Sequence, residues 1–145
     1  MQVVNSASSA LPKSKRLLRH ADFQRVYELG RRQFTGNMTV FFRRRGAEEV
    51  SGEPAMRVGF TVGRVLGGAV ERNRIKRCMR EAVRHGWPTE AAPVDVVFNP
   101  RKSVLELPFA DLKQEVSRGL QLALQRAREV QSKDGPPSRQ MKKRK

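Results

Sequence analysis

The stretch that decides the fold lies between residues 67 and 80 and reads Gly-Gly-Ala-Val-Glu-Arg-Asn-Arg-Ile-Lys-Arg-Cys-Met-Arg. Apolar residues in and just after it recur at the i, i+3, i+4, i+7 and i+8 spacing of an amphipathic helix. They are Ile75, Cys78, Met79, Ala82 and Val83. The opposite face carries Asn73, Lys76, Arg77, Arg80 and Arg84. The segment therefore predicts a helix that buries one side and presents cations on the other, ended by His85-Gly-Trp-Pro88.

This helix is strongly biased in charge. Only Glu71 and Glu81 oppose its cations, whereas a merely solvated face usually mixes both signs. Arginine dominates, and its planar guanidinium suits bidentate contacts to phosphate or base edges. Arg72 and Arg74 flank the first turn, where backbone N–H groups also favour an anion. We therefore expect this helix to bind nucleic acid.

The composition of the whole chain agrees with a polyanionic partner. Its 145 residues contain 30 Lys and Arg against 14 Asp and Glu, a formal charge of +16. The sequence has neither an apolar run of transmembrane length nor an amphipathic helix with an aromatic-rich face, so we expect no membrane partner. The N-terminus does not resemble a secretory signal, which favours the cytoplasm. We expect no small-molecule substrate.

The residues that usually carry catalysis or bind metals form no pattern. Cys78 is the only cysteine and lies on the apolar stripe, where a small core residue is expected. His20 and His85 have no cysteine cluster near them, so no zinc site is predicted. The acidic residues show no metal-ligand spacing. We therefore predict no catalytic and no metal-binding residue in this chain, which argues against an autonomous nuclease.

Outward from the basic helix, the sequence predicts a single small α+β domain. A helix is expected at residues 20–30, with Gly30 in a left-handed cap, and strands at residues 37–43, 57–62 and 94–98. A long helix should follow Pro108. We expect residues 1–16 to be flexible, residues 17–129 to form the RNA-binding domain and residues 130–145 to form a basic disordered tail.

Three aromatic residues have two interpretations. Phe23 and Tyr27 share a helix face and could pack in the core, or together with Phe41 they could stack on bases. Phe41 favours exposure, since Met38, Val40 and Phe42 already form an apolar face on the other side of its strand. The other large aromatic residues are assigned to packing: Phe34, Phe60, Phe98, Phe109 and Trp87.

Several of these segments together resemble the bacterial ribonuclease P protein subunit. The resemblance covers about residues 12–128, and its most specific part is Arg72-Asn-Arg-Ile-Lys-Arg77 after Ala69-Val70. The other matching segments are Arg57-Val-Gly-Phe-Thr-Val62, Arg80-Glu-Ala82, Asp22-Phe23 with Tyr27 and Gly30, and Asp95-Val-Val-Phe98 followed by Arg101.

The resemblance implies an α/β sandwich with a central sheet of about four strands, a left-handed βαβ crossover and an arginine-rich helix. It implies a protein that binds a catalytic RNA and the 5′ leader of precursor tRNA, and that promotes endonucleolytic removal of the leader. The RNA subunit would hold the catalytic Mg²⁺ ions, and the protein would bind no cofactor itself. The alternative is a basic ribosomal or other structured-RNA binding protein without an enzymatic partner.

The resemblance also assigns candidate residues to two surfaces. The ribozyme-binding motif would consist of Arg72, Asn73, Arg74, Lys76, Arg77 and Arg80. The leader-binding cleft would contain Phe23, Tyr27, Phe41 and Arg64.

Overall fold

The structure, a computed structural model, describes residues 11–49, 55–89 and 92–133. The helices are α1 (His20–Leu29), α2 (Ala69–His85) and α3 (Phe109–Lys133). The strands are β1 (Arg31–Phe34), β2 (Met38–Arg44), β3 (Arg57–Phe60) and β4 (Val94–Pro100). The predicted order of helices and strands is confirmed, with the addition of β1, which the sequence analysis missed.

The four strands form one mixed sheet in the order β1-β2-β4-β3. β2 pairs antiparallel with both β1 and β4, whereas β3 and β4 are parallel. Because β3 and β4 are parallel neighbours, α2 must lie in the crossover that connects them. The small α+β domain with a four-stranded sheet is therefore confirmed; the left hand of the crossover stays a prediction.

The main core lies between α2, α3 and one face of the sheet. Met38, Val40 and Phe42 alternate along β2 and are buried in it, as the strand period requires. From α2 the predicted stripe enters this core: Ile75, Met79, Ala82 and Val83 are buried, and Cys78 is partly buried against them. The stripe thus fixes which side of α2 faces away from the sheet.

A smaller core lies on the other face of the sheet, beneath α1. It contains Leu17, Val26 and Val97, with Phe23 and Phe41 packed against them. α1 lies over β2 and β4, so part of this face remains uncovered. We refer to it as the open face.

The end of α1 corrects one prediction. Gly30 has φ −90° and ψ −173°, an extended conformation rather than the predicted left-handed cap. A glycine is still required, because any Cβ here would collide with the carbonyl oxygens of Val26 and Phe42. Glycine is needed at position 30 because the backbone of β2 lies so close, and not because φ is positive.

The first predicted domain boundary, at residue 16, stays a prediction. Residues 1–10 lie outside the described residues, but Leu11 is buried in the main core and Lys13–Lys15 form a 3₁₀ turn. Arg16 then pairs with Val58 in a parallel bridge. At the other end, α3 continues to Lys133, and residues 134–145 of the predicted tail lie outside the described residues.

Candidate nucleic-acid interface

Most cations on the polar face of α2 have no carboxylate partner among the described residues. Asn73, Arg74 and Arg77 are exposed, and Lys76 and Arg80 are half-buried. No carboxylate in the described part of the chain lies within ion-pair distance of Arg74, Lys76, Arg77 or Arg80. These side chains are therefore available to phosphate oxygens, as the sequence predicts.

The first turn of α2 is fixed to the loop before it. Arg72 Nε donates to the carbonyl oxygen of Gly67 at 3.1 Å, and the Gly68 N–H donates to Glu71 Oε1 at 3.2 Å. Lys102 Nζ lies 3.5 Å from Glu71 Oε2. These contacts hold Arg72 along the loop and leave its other guanidinium nitrogens without a described carboxylate partner.

Arg84, the last cation of the predicted basic face, is paired with a carboxylate. Arg84 Nε and Nη2 donate to the two carboxylate oxygens of Glu81 at 3.0 and 3.1 Å. The hydrogen bonds from Arg84 lower the pKa of Glu81 below its usual value, and Glu81 in turn raises the pKa of Arg84. Charge free for a polyanion is therefore concentrated toward the start of α2.

The open face brings two of the predicted cleft aromatics together. The rings of Tyr27 and Phe41 meet edge to face with centroids 4.8 Å apart. The Tyr27 hydroxyl lies 2.6 Å from Thr61 Oγ1 and donates to Asn99 Oδ1 at 3.1 Å. Tyr27 is 37% exposed. It therefore presents an aromatic face beside hydrogen-bonding groups, at the place where α1 meets the sheet.

Phe23 combines packing with a position at the cleft. It is half-buried, and a Cβ at Gly59 would lie only 2.5 Å from its Cζ. α1 can therefore lie this close to β3 only because residue 59 has no side chain. Phe23 and Phe41 are half-buried against the small core, so packing is confirmed in part, and stacking on bases stays a prediction.

Arg64 lies on the path from the open face to α2. It is exposed and begins the 3₁₀ turn Arg64–Leu66, three residues after Thr61. Its neighbour Val65 is 94% exposed. The predicted cleft and the predicted motif are thus joined by one short connection that carries a cation.

A buried ion network, which was not predicted from the sequence, holds α1 onto the sheet. Asp95 is 1% exposed and accepts from Arg45 Nη1 at 2.5 Å and from Arg57 Nε and Nη2 at 2.9 and 2.8 Å. Arg57 Nη1 also lies 3.7 Å from Asp22 Oδ2 on α1. The hydrogen bond with Asp95 raises the pKa of Arg57 above its usual value. Arg57 and Asp95 are brought together because they are opposite each other in the pairing of β3 with β4. No local sequence pattern predicts this pairing.

The β1–β2 hairpin is fastened to α3 by Glu115. Glu115 accepts from the Asn37 N–H and Nδ2, both at 2.8 Å, and from Thr35 Oγ1. Burial raises the pKa of Glu115, but these hydrogen bonds outweigh burial and leave the pKa below its usual value. The carboxylate therefore stays ionised at neutral pH and holds the turn.

The packing assignment is wrong for Phe34 and holds only in part for Phe109. Phe34, on edge strand β1, is 60% exposed, whereas Phe98 is fully buried and Phe60 stacks on it with centroids 6.2 Å apart. Trp87 is half-buried, as predicted, but Phe109 is 40% exposed and lies beside His85 and Lys113. Phe34 lies on an edge strand, on the side of the sheet where α1 lies over β2 and β4.

The described residues offer neither a cluster of metal ligands nor a membrane-spanning helix. Within the described ranges, no group of three or more His, Cys, Asp or Glu side chains could hold a metal ion. No helix in those ranges is both long and apolar enough to cross a bilayer.

Residues 11–124 match the protein family described as Ribonuclease P. The ribonuclease P protein component of Symbiobacterium thermophilum is 41% identical over 106 residues, which cover 73% of this chain and 88% of the relative. That of Paramagnetospirillum magneticum is 34% identical over 122 residues, covering 82% of this chain and 91% of the relative.

Solved structures agree with these relatives. The RNase P protein of Staphylococcus aureus superimposes with a TM-score of 0.63 at 27% identity, covering 77% of this chain and 96% of that one. The RNase P protein from Thermotoga maritima gives a TM-score of 0.58 at 26% identity, covering 71% of this chain and 96% of that one.

Proposed function

The chain belongs to the ribonuclease P protein family, the protein subunit of the RNase P endoribonuclease, and from that premise we propose which RNA each of its two surfaces binds. α2 binds the catalytic RNA, and the open face beside α1 binds the 5′ leader of precursor tRNA. Family membership favours this function over the alternative of a structured-RNA binding protein without an enzymatic partner.

The separation of two kinds of surface carries the proposal. α2 offers cations without described carboxylate partners, which suits the phosphate backbone of a folded RNA. The open face offers the exposed ring of Tyr27 beside Phe41, Thr61 and Asn99. Single strands differ from duplexes in exposing base faces and edges, so an aromatic surface with hydrogen-bonding groups suits a leader.

The chain's own part in the reaction is binding and positioning. We assign the Mg²⁺ ions needed for hydrolysis to the RNA subunit, as the resemblance to the ribonuclease P family implies. A leader held at Tyr27 and Phe41 ties the precursor to the holoenzyme. This favours the precursor over mature tRNA, which has no leader.

The test is binding by the assembled holoenzyme at low Mg²⁺. We expect it to bind precursor tRNA more tightly than mature tRNA and to cleave at the mature 5′ end. Tyr27→Leu and Phe41→Leu keep apolar bulk but remove the ring, and they should weaken precursor binding by up to about 1–3 kcal/mol for each lost stack. Affinity for mature tRNA should not change.

Leu29→Ala provides the matched control, because Leu29 is 65% exposed at the end of the same helix. It should affect neither RNA. Equal affinity for precursor and mature tRNA in the unmodified holoenzyme would contradict a leader site on this protein. Equal losses for both RNAs in the Tyr27 and Phe41 variants would contradict its placement on the open face.

A further inference from the structure

Phe34 carries the most exposed aromatic ring in the described part of the chain. It is the last residue of β1, and an exposed ring on an edge strand gains nothing from the core. The guanidinium carbon of Arg32 lies 5.4 Å from the centre of this ring. An aromatic ring and a planar cation therefore stand together at the edge of the sheet.

The strand register places Phe34 on the side of the sheet that carries the open face, at the edge where the turn at Thr35 and Gly36 meets α3. Phe34 is opposite Thr39, and Thr39 is opposite Asn99, which accepts the hydrogen bond from Tyr27. Residues directly opposite each other in a sheet point to the same side. Since neighbouring strands lie about 4.8 Å apart, Phe34 extends the surface about 10 Å beyond Asn99.

The ring is held on a fixed support. Glu115 fastens Thr35 and Asn37 of the turn that follows it, and Ser103 Oγ donates to Asn37 Oδ1 at 2.6 Å. Arg101 Nη1 donates to the Gly36 carbonyl oxygen at 3.2 Å. A fixed aromatic surface loses little conformational freedom when a ligand stacks on it.

The charges select the kind of ligand. Arg31 and Arg32 are both exposed on β1, and charged side chains on a short edge strand discourage the addition of another protein strand. The same cations attract phosphate, and every nucleobase has a face that can stack on an aromatic ring. Single-stranded RNA therefore fits this position better than a peptide.

We propose that Phe34 and Arg32 form a second stacking position for the precursor leader, continuous with the surface at Tyr27 and Phe41. This inference rests on the proposed function, because it needs a leader on the open face. It predicts that the protein reads leader length: a leader long enough to cross from Tyr27 to β1 gains an additional contact.

The experiment uses the holoenzyme and precursor tRNAs whose leaders are lengthened one nucleotide at a time. With the unmodified protein, affinity should rise again by about fivefold or more once the leader reaches β1. Phe34→Leu should abolish this second rise and leave binding of mature tRNA and short-leader precursors unchanged. Phe34→Trp should preserve it.

Phe109→Leu is the matched control, because Phe109 is also exposed and has Lys113 near its ring, but it begins α3 rather than lying on the open face. It should leave the second rise intact. A fluorescent adenine analogue in the leader adds a direct readout. At one distal position its fluorescence should be quenched by the unmodified protein and recover with Phe34→Leu.

Two failures can be told apart. If precursor and mature tRNA bind equally to the unmodified holoenzyme, the proposed function fails. If precursors are preferred but Phe34→Leu keeps the second rise and the quenching, only the distal stacking position is overturned. Thermal midpoints of the variants should match the unmodified protein, since the ring is mostly exposed.

Discussion

The arginines of α2 and those beneath α1 differ in what surrounds them. Arg74 and Arg77 are exposed without a described carboxylate partner, whereas Arg45 and Arg57 converge on the buried carboxylate of Asp95. The first pair can exchange water and counterions for phosphate at little cost to the fold. The second pair cannot leave Asp95 without exposing a buried charge. Residue type is the same, and the position of acidic partners decides whether an arginine remains available to a polyanion or is held within the fold.

The largest effect should follow from breaking the buried network. Asp95→Ala leaves Arg45 and Arg57 without their shared carboxylate, and removal of one partner from a buried pair typically costs about 3–5 kcal/mol. We expect a loss of this order in the free energy of unfolding, measured by urea denaturation. Glu28→Ala removes an exposed carboxylate from α1 and should change it by less than about 0.5 kcal/mol. Similar losses in both variants would contradict a special role for Asp95.

The reverse pattern should appear on α2. Arg74→Ala combined with Arg77→Ala should leave stability nearly unchanged, because both side chains are exposed. Hydrogen bonds to charged groups contribute about 1.5–3 kcal/mol, so binding of the catalytic RNA should weaken by about 3 kcal/mol or more. The slope of log affinity against log salt should fall by about 0.7–0.9 for each lost phosphate contact.

Arg84→Ala controls for this experiment on the same helix. Arg84 is already paired with Glu81, so its removal should change the salt slope less than removal of Arg77. Equal changes for Arg77 and Arg84 would show that pairing with a carboxylate does not distinguish these positions.

The two regions also differ in how much of each could be predicted from the sequence. The periodicity of α2 predicts its buried stripe, and His85-Gly-Trp-Pro88 predicts its end, because both depend on residues that are close in the sequence. Asp95 meets Arg45 and Arg57 across 50 and 38 residues. A single sequence contains no signal for such a distant partner. The sequence alone therefore could not distinguish Arg45 and Arg57, which are paired with Asp95, from arginines that are free to bind a polyanion.

Edge strand β1 was missed for a related reason. Its sequence, Arg-Arg-Gln-Phe, lacks the alternation of apolar and polar residues that identifies a strand. It becomes a strand because the hairpin brings it against β2, with Glu115 holding the turn. The exposure of Phe34 follows from this edge position, which explains why its assignment to packing failed.

A third prediction tests how closely α1 must lie on the sheet. In Gly59→Ala the new methyl group would lie 2.5 Å from Phe23 Cζ, so the ring and α1 must shift. Overpacking of this kind typically costs about 1–3 kcal/mol of stability. The preference for precursor over mature tRNA should also fall. Gly63→Ala is the control, since nothing lies within 4 Å of a Cβ there. Unchanged melting temperature and RNA preference in Gly59→Ala would contradict this packing.

The smallest effect concerns the Tyr27 hydroxyl. Tyr27→Phe keeps the ring but removes the contacts to Thr61 and Asn99, and water can replace them because this site is partly exposed. Stability should therefore fall by only about 0.5–1.5 kcal/mol. If the ring itself stacks on a leader base, Tyr27→Phe should keep most of the precursor affinity that Tyr27→Leu loses. If instead the hydroxyl binds the leader, both variants should lose the same amount. The affinities of both variants for precursor and mature tRNA, measured together with their thermal midpoints, show whether the ring of Tyr27 or its hydroxyl binds the leader.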